Sequence, residues 1–123
     1  LLVNEIAPRV HNSGHWTQQG AHCSHFENHM RAVAGLPLGN TQIKQPTAMI
    51  NVLGQEKIPN EVLTTADVTS HWDGKGVKPG RKMGHINVSG ESLQQLGNRL
   101  AELTSCLPEQ DYPGVLATSK SLL

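Results

Sequence analysis

The pattern of hydrophobic and polar positions favours β-strands in three segments, and in the first Ala48, Ile50 and Val52 alternate with Met49, Asn51 and Leu53. These segments are residues 48–53, 68–72 and 83–88. The apolar run Leu1-Leu2-Val3 predicts a further strand, at residues 1–6, which should stop near Pro8 because proline has no N–H to donate to a ladder. Residues 73–80 are rich in glycine and proline, which predicts a turn between the last two strands.

Two other segments have the apolar spacing of three and four residues that is typical of amphipathic helices. The first covers about residues 24–34 and starts with a capping box, in which Ser24 and Glu27 each cap the other's amide. The second covers about residues 91–106 and contains Gly97, which weakens a helix by about 1 kcal/mol relative to alanine. Its predicted buried face consists of Leu93, Leu96, Leu100, Leu103 and Leu107.

The remaining segments predict the domain organisation. Residues 9–20 are polar and indicate an ordered loop, residues 36–46 lack periodicity and indicate a linker, and the tail after Leu107 has little pattern. Strands and helices are mixed without regular alternation, which predicts an α+β fold with a small β-rich C-terminal unit and one packed helix. The chain opens in an apolar run without an initiator methionine, so we expect a fragment of a longer protein.

Composition excludes several classes of function. Ten basic side chains balance ten acidic ones, so nothing favours binding to nucleic acid or to anionic lipid. No apolar run approaches the roughly 20 residues that span a bilayer, so we expect no membrane segment. The two cysteines, Cys23 and Cys106, are too few for a disulfide framework, which favours reduced thiols in a cytoplasmic protein.

A first cluster of candidate functional residues follows the N-terminal apolar run. Glu5 stands at the end of that run, where a carboxylate is costly unless it is paired or binds a cation such as Mg²⁺. Asn4 can add a second oxygen ligand. Arg9 and His11 are two positions apart and can point together from an extended segment, to hold an anion or move a proton. The alternative is a polar turn whose side chains cap backbone groups.

A second cluster gathers four cations in the turn and the strand that follows it. Lys75, Lys78, Arg81 and Lys82 lie among glycines and a proline, and such a turn can also direct backbone amides at a phosphate. The cluster therefore predicts an anion site. The alternative is a solvated hairpin tip whose lysines keep a sheet edge soluble.

Histidines and cysteines near the first helix allow a third interpretation. His25 and His29 share a helix face at a spacing that suits two zinc ligands, with His22 and Cys23 close by in sequence. No further ligand pair stands at a usual spacing, so a zinc site is the weaker interpretation. Packing is likewise favoured over nucleophilic catalysis for Cys23 and Cys106.

The two clusters together resemble a known family. Residues 4–17, continued through the start of the first helix to residues 36–39, and residues 71–88 resemble the 5-(carboxyamino)imidazole ribonucleotide synthases, which are ATP-grasp ligases. The resemblance covers almost the whole chain and departs at His25, where the family commonly has glutamine, and near Asp73, where it often has tyrosine.

The resemblance implies a role for each matching position. Glu5, with Asn4 beside it, would bind ATP and ligate the Mg²⁺ that bridges its phosphates. Arg9 and His11 would be catalytic, holding bicarbonate and the carboxyphosphate made from it. The positions implied for the ribonucleotide substrate are Asn12 and Ser13 near its imidazole, and Lys75 and Arg81 at its 5′-phosphate.

The resemblance also implies an activity and a division of the chain. Residues 1–39 would end an ATP-grasp domain, and residues 40–123 would form a β-rich C-terminal domain with a phosphate-binding turn. The activity is ATP-dependent carboxylation of aminoimidazole ribonucleotide with bicarbonate in purine biosynthesis, by an enzyme expected to be a homodimer. We expect this chain alone to be inactive, since most of the ATP site is missing. The alternatives are another ATP-grasp ligase, either a formate-dependent purine enzyme or a biotin carboxylase, and a non-catalytic dimerising or phosphate-binding module.

Overall fold

The computed structural model describes residues 1–123 and divides into two compact units, Leu1–Lys44 and Gln45–Leu123. The first unit contains a 3₁₀ turn and two helices: Asn12–Gly14, α1 at Thr17–Gly20 and α2 at His25–Val33. The second unit contains three strands and three helices: β1 at Thr47–Leu53, α3 at Asn60–Leu63, β2 at Val68–Trp72, β3 at Lys82–Ser89, α4 at Leu93–Leu103 and α5 at Val115–Leu122.

Helix α2 of the first unit confirms the first predicted helix. Ser24 is its N-cap, and the Ser24 hydroxyl accepts a hydrogen bond of 3.2 Å from the Glu27 amide. The Glu27 carboxylate binds the Arg31 guanidinium at 2.7 Å, one turn further along the helix. Half of the predicted capping box is therefore formed, and Glu27 stabilises the helix through an ion pair.

The segment after α2, which the sequence predicts to be a linker, is bound back to the first unit. The Gly39 amide donates to the Asn28 side-chain oxygen at 2.8 Å, and the Cys23 amide donates to the Asn40 carbonyl at 2.8 Å. A Cβ atom at Gly39 would lie 2.6 Å from the Cys23 sulfur, so the close approach requires glycine. Burial raises the pKa of the Cys23 thiol, which fits a packing role.

The strand predicted at residues 1–6 is wrong. These residues have no regular secondary structure, and Leu1, Leu2, Val3 and Ile6 are all exposed. A strand requires a partner for its backbone groups, and no other segment of the chain pairs with residues 1–6. The apolar pattern alone was therefore insufficient to form this element.

The three remaining predicted strands are confirmed and form one antiparallel sheet in the second unit. Their order is β1-β3-β2, with β3 in the centre and buried from Met83 to Ser89. Gly84 pairs with Trp72, and a Cβ atom at Gly84 would lie 2.2 Å from the His71 carbonyl oxygen. This close approach explains why a glycine interrupts the apolar run of the central strand.

Helix α4 confirms the second predicted helix and carries much of the core. The exception on its predicted face is Leu93, which is 57% exposed because it stands in the first turn. Helix α5 was not predicted, and it packs along α4 at Gly97, where a Cβ atom would approach Leu122 and Leu123 within 3.2 Å. No helix in the structure has the length and hydropathy needed to span a membrane. The buried α4 face consists of Leu96, Gly97, Leu100 and Leu103.

Candidate functional site

The first candidate site is built around the side chain of His11. His11 caps the 3₁₀ turn, because the Ser13 amide donates to His11 Nδ1 at 3.2 Å and the Ser13 hydroxyl lies 2.8 Å from the same atom. A nitrogen that accepts these bonds carries no proton in the neutral ring, so the proton stands on Nε2. His11 Nε2 contacts the Glu5 carboxylate. The turn thus fixes the tautomer and directs an N–H at Glu5.

The other predicted residues of this cluster are exposed. The Arg9 guanidinium donates to the Val10 carbonyl at 3.0 Å. Asn4 and Asn12 are exposed, and the Glu5 side chain keeps 53% of its surface accessible. The structure therefore joins Glu5, His11 and Ser13 by direct contacts, while the Arg9 guanidinium is bonded to the carbonyl of the next residue, Val10.

The donor set of this cluster can be compared with the needs of Mg²⁺. Glu5 supplies a carboxylate and Asn4 a side-chain amide oxygen, and both are the hard oxygen donors that Mg²⁺ prefers. A magnesium ion commonly keeps several waters and phosphate oxygens, so one or two protein oxygens suffice. The residues present fit one edge of a magnesium–nucleotide site.

His25 supports the His11 turn, a role that the sequence did not reveal. His25 Nε2 lies 3.2 Å from the His11 carbonyl oxygen and 3.1 Å from His15 Nδ1. His25 Nδ1 lies 3.2 Å from the Thr17 hydroxyl, which donates to the Gly14 carbonyl at 2.5 Å. Burial lowers the pKa of His25. Both ring nitrogens of His25 therefore contact residues of the segment 11–17.

The zinc interpretation is not supported. No three histidine, cysteine, aspartate or glutamate side chains of the chain are grouped closely enough to hold a metal ion. His25 faces the loop rather than a shared site with His29, which is exposed. The spacing of four residues indicated a common helix face, but the ring contacts of His25 determine its role.

The second candidate site is the tight turn before β3. The Arg81 amide donates to the Lys78 carbonyl at 3.1 Å, with Pro79 and Gly80 between them and φ of 69° at Gly80. This is the geometry of a type II turn, which favours proline and then glycine at its centre. The Gly54 amide donates to the Arg81 carbonyl at 2.7 Å. The sequence Pro-Gly therefore fixes the backbone around Arg81.

Three of the basic side chains interact with groups in this turn or next to it. Arg81 Nη1 donates to the Gly76 carbonyl at 3.0 Å, which ties the end of the loop back to its middle. Lys75 Nζ lies 3.0 Å from Asp73 Oδ2. Burial lowers the pKa of Lys82, while the negative charge of Asp73 raises it and the positive charge of Lys75 lowers it. The cations were predictable from the sequence, whereas the pairing of Asp73 with Lys75 is evident only in the structure.

Two protein families match this chain, and each match contains one of the two candidate sites. The ATP-grasp domain family matches residues 1–26, and the family described as the phosphoribosylaminoimidazole carboxylase C-terminal domain matches residues 47–99. The first match contains the Glu5 and His11 cluster, and the second contains the Lys75 and Arg81 turn.

Individual relatives match nearly the whole chain. An N5-carboxyaminoimidazole ribonucleotide synthase of Vibrio cholerae is 55% identical over 99% of this chain, which spans 32% of that protein. The crystal structure of the synthetase from Thermus thermophilus is 54% identical, with a TM-score of 0.78 over 83% of this chain and 28% of that one.

A third match includes bound ligands. The Aspergillus clavatus synthase in complex with ADP and 5-aminoimidazole ribonucleotide is 34% identical, with a TM-score of 0.73 over 80% of this chain and 29% of that one. The α+β fold and the resemblance are thus confirmed, and the chain spans about a third of the length of these relatives.

Proposed function

We propose that this chain, a relative of the C-terminal third of the N5-carboxyaminoimidazole ribonucleotide synthases, is the corresponding part of such an ATP-grasp ligase. The reaction is the ATP-dependent carboxylation of aminoimidazole ribonucleotide with bicarbonate through carboxyphosphate, in purine biosynthesis. The observation that carries the proposal is the 55% identity to the Vibrio cholerae synthase over 99% of the chain. A shared fold alone would support a much broader class of activities.

The first unit would serve the ATP and bicarbonate half of this reaction. Glu5 and Asn4 would hold Mg²⁺, which when bound with ATP neutralises charge on the phosphates. Arg9 would bind bicarbonate and carboxyphosphate through its guanidinium. His11 presents its Nε2–H towards Glu5, so it can orient the carboxylate or donate to an oxyanion beside it. Because such a donor is already in position, it does not have to reorient when negative charge develops on the reacting oxygen.

The second unit would bind the ribonucleotide through its 5′-phosphate. Arg81 and Lys75 would supply the charges, since the type II turn fixes the backbone of Arg81 and the loop brings its guanidinium against Gly76. In the first unit, Asn12 and Ser13 would contact the imidazole portion. Residues 1–39 and 40–123 would then be the functional divisions of the chain.

Further parts of the proposal rest on the resemblance. They are the use of Mg²⁺, a homodimeric assembly, a cytoplasmic location and the absence of turnover by residues 1–123 alone. One carboxylate, Glu5, cannot form a two-metal phosphate site by itself, which supports the last of these. About two-thirds of the length of the longer relatives lies outside the part that this chain matches, and further ATP contacts can lie there.

A chimera tests the proposal. The first two-thirds of the Vibrio cholerae synthase would be joined to residues 1–123, which replace their 55% identical counterpart. We expect ADP release that requires both bicarbonate and aminoimidazole ribonucleotide, and none from residues 1–123 alone. A folded chimera that releases ADP without the ribonucleotide, or not at all, would contradict the proposed reaction, whereas turnover by residues 1–123 alone would contradict only their predicted inactivity.

A further inference from the structure

A carboxylate lies within the basic turn of the second unit. Asp73 follows β2 directly, and its amide donates to the Met83 carbonyl at 2.9 Å, which extends the β2–β3 ladder by one bond. Asp73 Oδ2 lies 3.0 Å from Lys75 Nζ. The position of the carboxylate is therefore set by the sheet, while its partner belongs to the loop.

The pair is asymmetric in exposure. The Asp73 side chain is 28% exposed and the Lys75 side chain is 48% exposed. Asp73 also acts on Lys82, since its negative charge raises the pKa of that half-buried ammonium while burial and the charge of Lys75 lower it. One fixed carboxylate thus interacts with two of the four cations in the turn.

An anion that binds at this turn meets Asp73 in two ways. To contact Lys75 directly, it has to replace the carboxylate that already holds the ammonium. It also approaches a negative charge that the backbone keeps in place, and like charges a few ångströms apart repel each other. Both effects oppose binding without removing any of the cations.

We propose that Asp73 is an affinity-determining residue of the anion-binding turn, an internal competitor that a phosphate must displace from Lys75. This inference rests on the proposed function, because it assumes that the turn binds the phosphate of the substrate. Its consequence is weaker phosphate binding than the four cations alone would produce. In the chimera, Asp73 raises the Michaelis constant for the ribonucleotide and leaves the carboxylation step itself unaffected.

The size of the effect follows from the exposure of the pair. Exposed ion pairs contribute little, and removal of the competitor should tighten phosphate binding by about two- to fivefold. Mobile ions screen such charges within a Debye length of about 8–10 Å, so the difference should shrink as ionic strength rises.

The direct experiment uses all 123 residues and inorganic phosphate as the probe. Phosphate is titrated at constant ionic strength, and binding is followed through the backbone amide shifts of residues 74–82. Asp73→Asn removes the charge at nearly constant size, and Asp73→Glu keeps it. The matched control, Glu102→Gln, removes one negative charge from an exposed position on α4.

We expect Asp73→Asn to bind phosphate two- to fivefold more tightly than the unmodified chain. Asp73→Glu and Glu102→Gln should bind it about as tightly as the unmodified chain. Lys75→Ala added to the Asp73→Asn variant should remove the gain in affinity. Equal affinity of the unmodified chain and Asp73→Asn, with phosphate shifts still centred on the turn, would overturn the role of Asp73 and leave the phosphate-binding proposal standing. Phosphate shifts outside the turn in every variant would instead overturn the phosphate-binding role of the turn.

Discussion

Each of the two units of this chain is stabilised internally by a different kind of interaction. Thirteen hydrophobic residues of the second unit form one buried cluster, whereas Ala21 and Cys23 are the buried hydrophobic residues of the first. The first unit depends on side-chain hydrogen bonds around His11, His25 and Thr17. Its exposed large hydrophobic residues are Leu1, Leu2, Val3, Ile6, Met30, Val33, Leu36, Leu38 and Ile43.

The difference shows that a precise local geometry does not require a local core. In the first unit, polar contacts fix the His11 tautomer although little apolar area is buried, and hydrophobic burial is the dominant source of folding stability. In the second unit, the core fixes the sheet, and the sheet then positions a loop of exposed charges. The effects of substitutions in the two units should therefore differ in the stability that is lost and in how far through the unit the change extends.

The largest effect is expected from the core of the second unit. Leu100→Ala removes a side chain that is 1% exposed and should lower the free energy of unfolding by about 2–5 kcal/mol. Leu93→Ala on the same helix is the matched control, because Leu93 is 57% exposed, and its effect should stay within about 0.5 kcal/mol. Urea denaturation measures both. Similar losses for the two variants would contradict the described core.

A smaller loss is expected at the centre of the sheet. Gly84→Ala introduces a methyl group 2.2 Å from the His71 carbonyl oxygen and should cost about 1–3 kcal/mol or more, as the strands move apart. Gly76→Ala is the control, because no atom beyond the neighbouring residues of the chain lies within 4 Å of the added group. Thermal unfolding compares the two. A stable Gly84→Ala variant with unchanged β2–β3 hydrogen bonds would rule out the described register.

A local effect is expected in the first unit. Thr17→Val removes the hydroxyl that donates to the Gly14 carbonyl and lies beside the His25 ring, at a cost of about 0.5–1.5 kcal/mol. Hydrogen exchange should become faster at Ser13 and His25 and stay unchanged in the sheet of the second unit. Thr41→Val, at an exposed position, is the control. Equal exchange in both variants would mean that Thr17 does not support the turn.

The smallest effect concerns pH. Burial lowers the pKa of His25 and of His71 below the ordinary value of 6.5, so the unfolded chain binds more protons than the folded chain near that pH. Stability should therefore fall as pH drops through 6.5 towards the folded pKa values. His25→Gln should reduce this slope, and His29→Gln, at an exposed position, should not. Unchanged slopes in the His25 variant would contradict the described burial of its ring.

Much of the second unit was predictable from the sequence, because its elements are periodic and bury one face. The alternation at residues 48–53 identified a strand, and the leucine spacing of α4 identified a helix and its buried side. The N-cap of α2 at Ser24 was predictable for a similar reason, since the capping interaction spans only three residues. The roles suggested for Glu5, His11, Lys75 and Arg81 came from resemblance to a family.

Tertiary structure decided the features that depend on partners distant in sequence. The residues of α5 show little pattern, and the helix packs where Gly97 leaves room for it. Residues 1–6 have the pattern of a strand but no partner, and the role of His25 follows from the fold of its loop. Local pattern reports which face of an element is apolar, whereas the space available and the hydrogen-bonding partner are set by the packed chain.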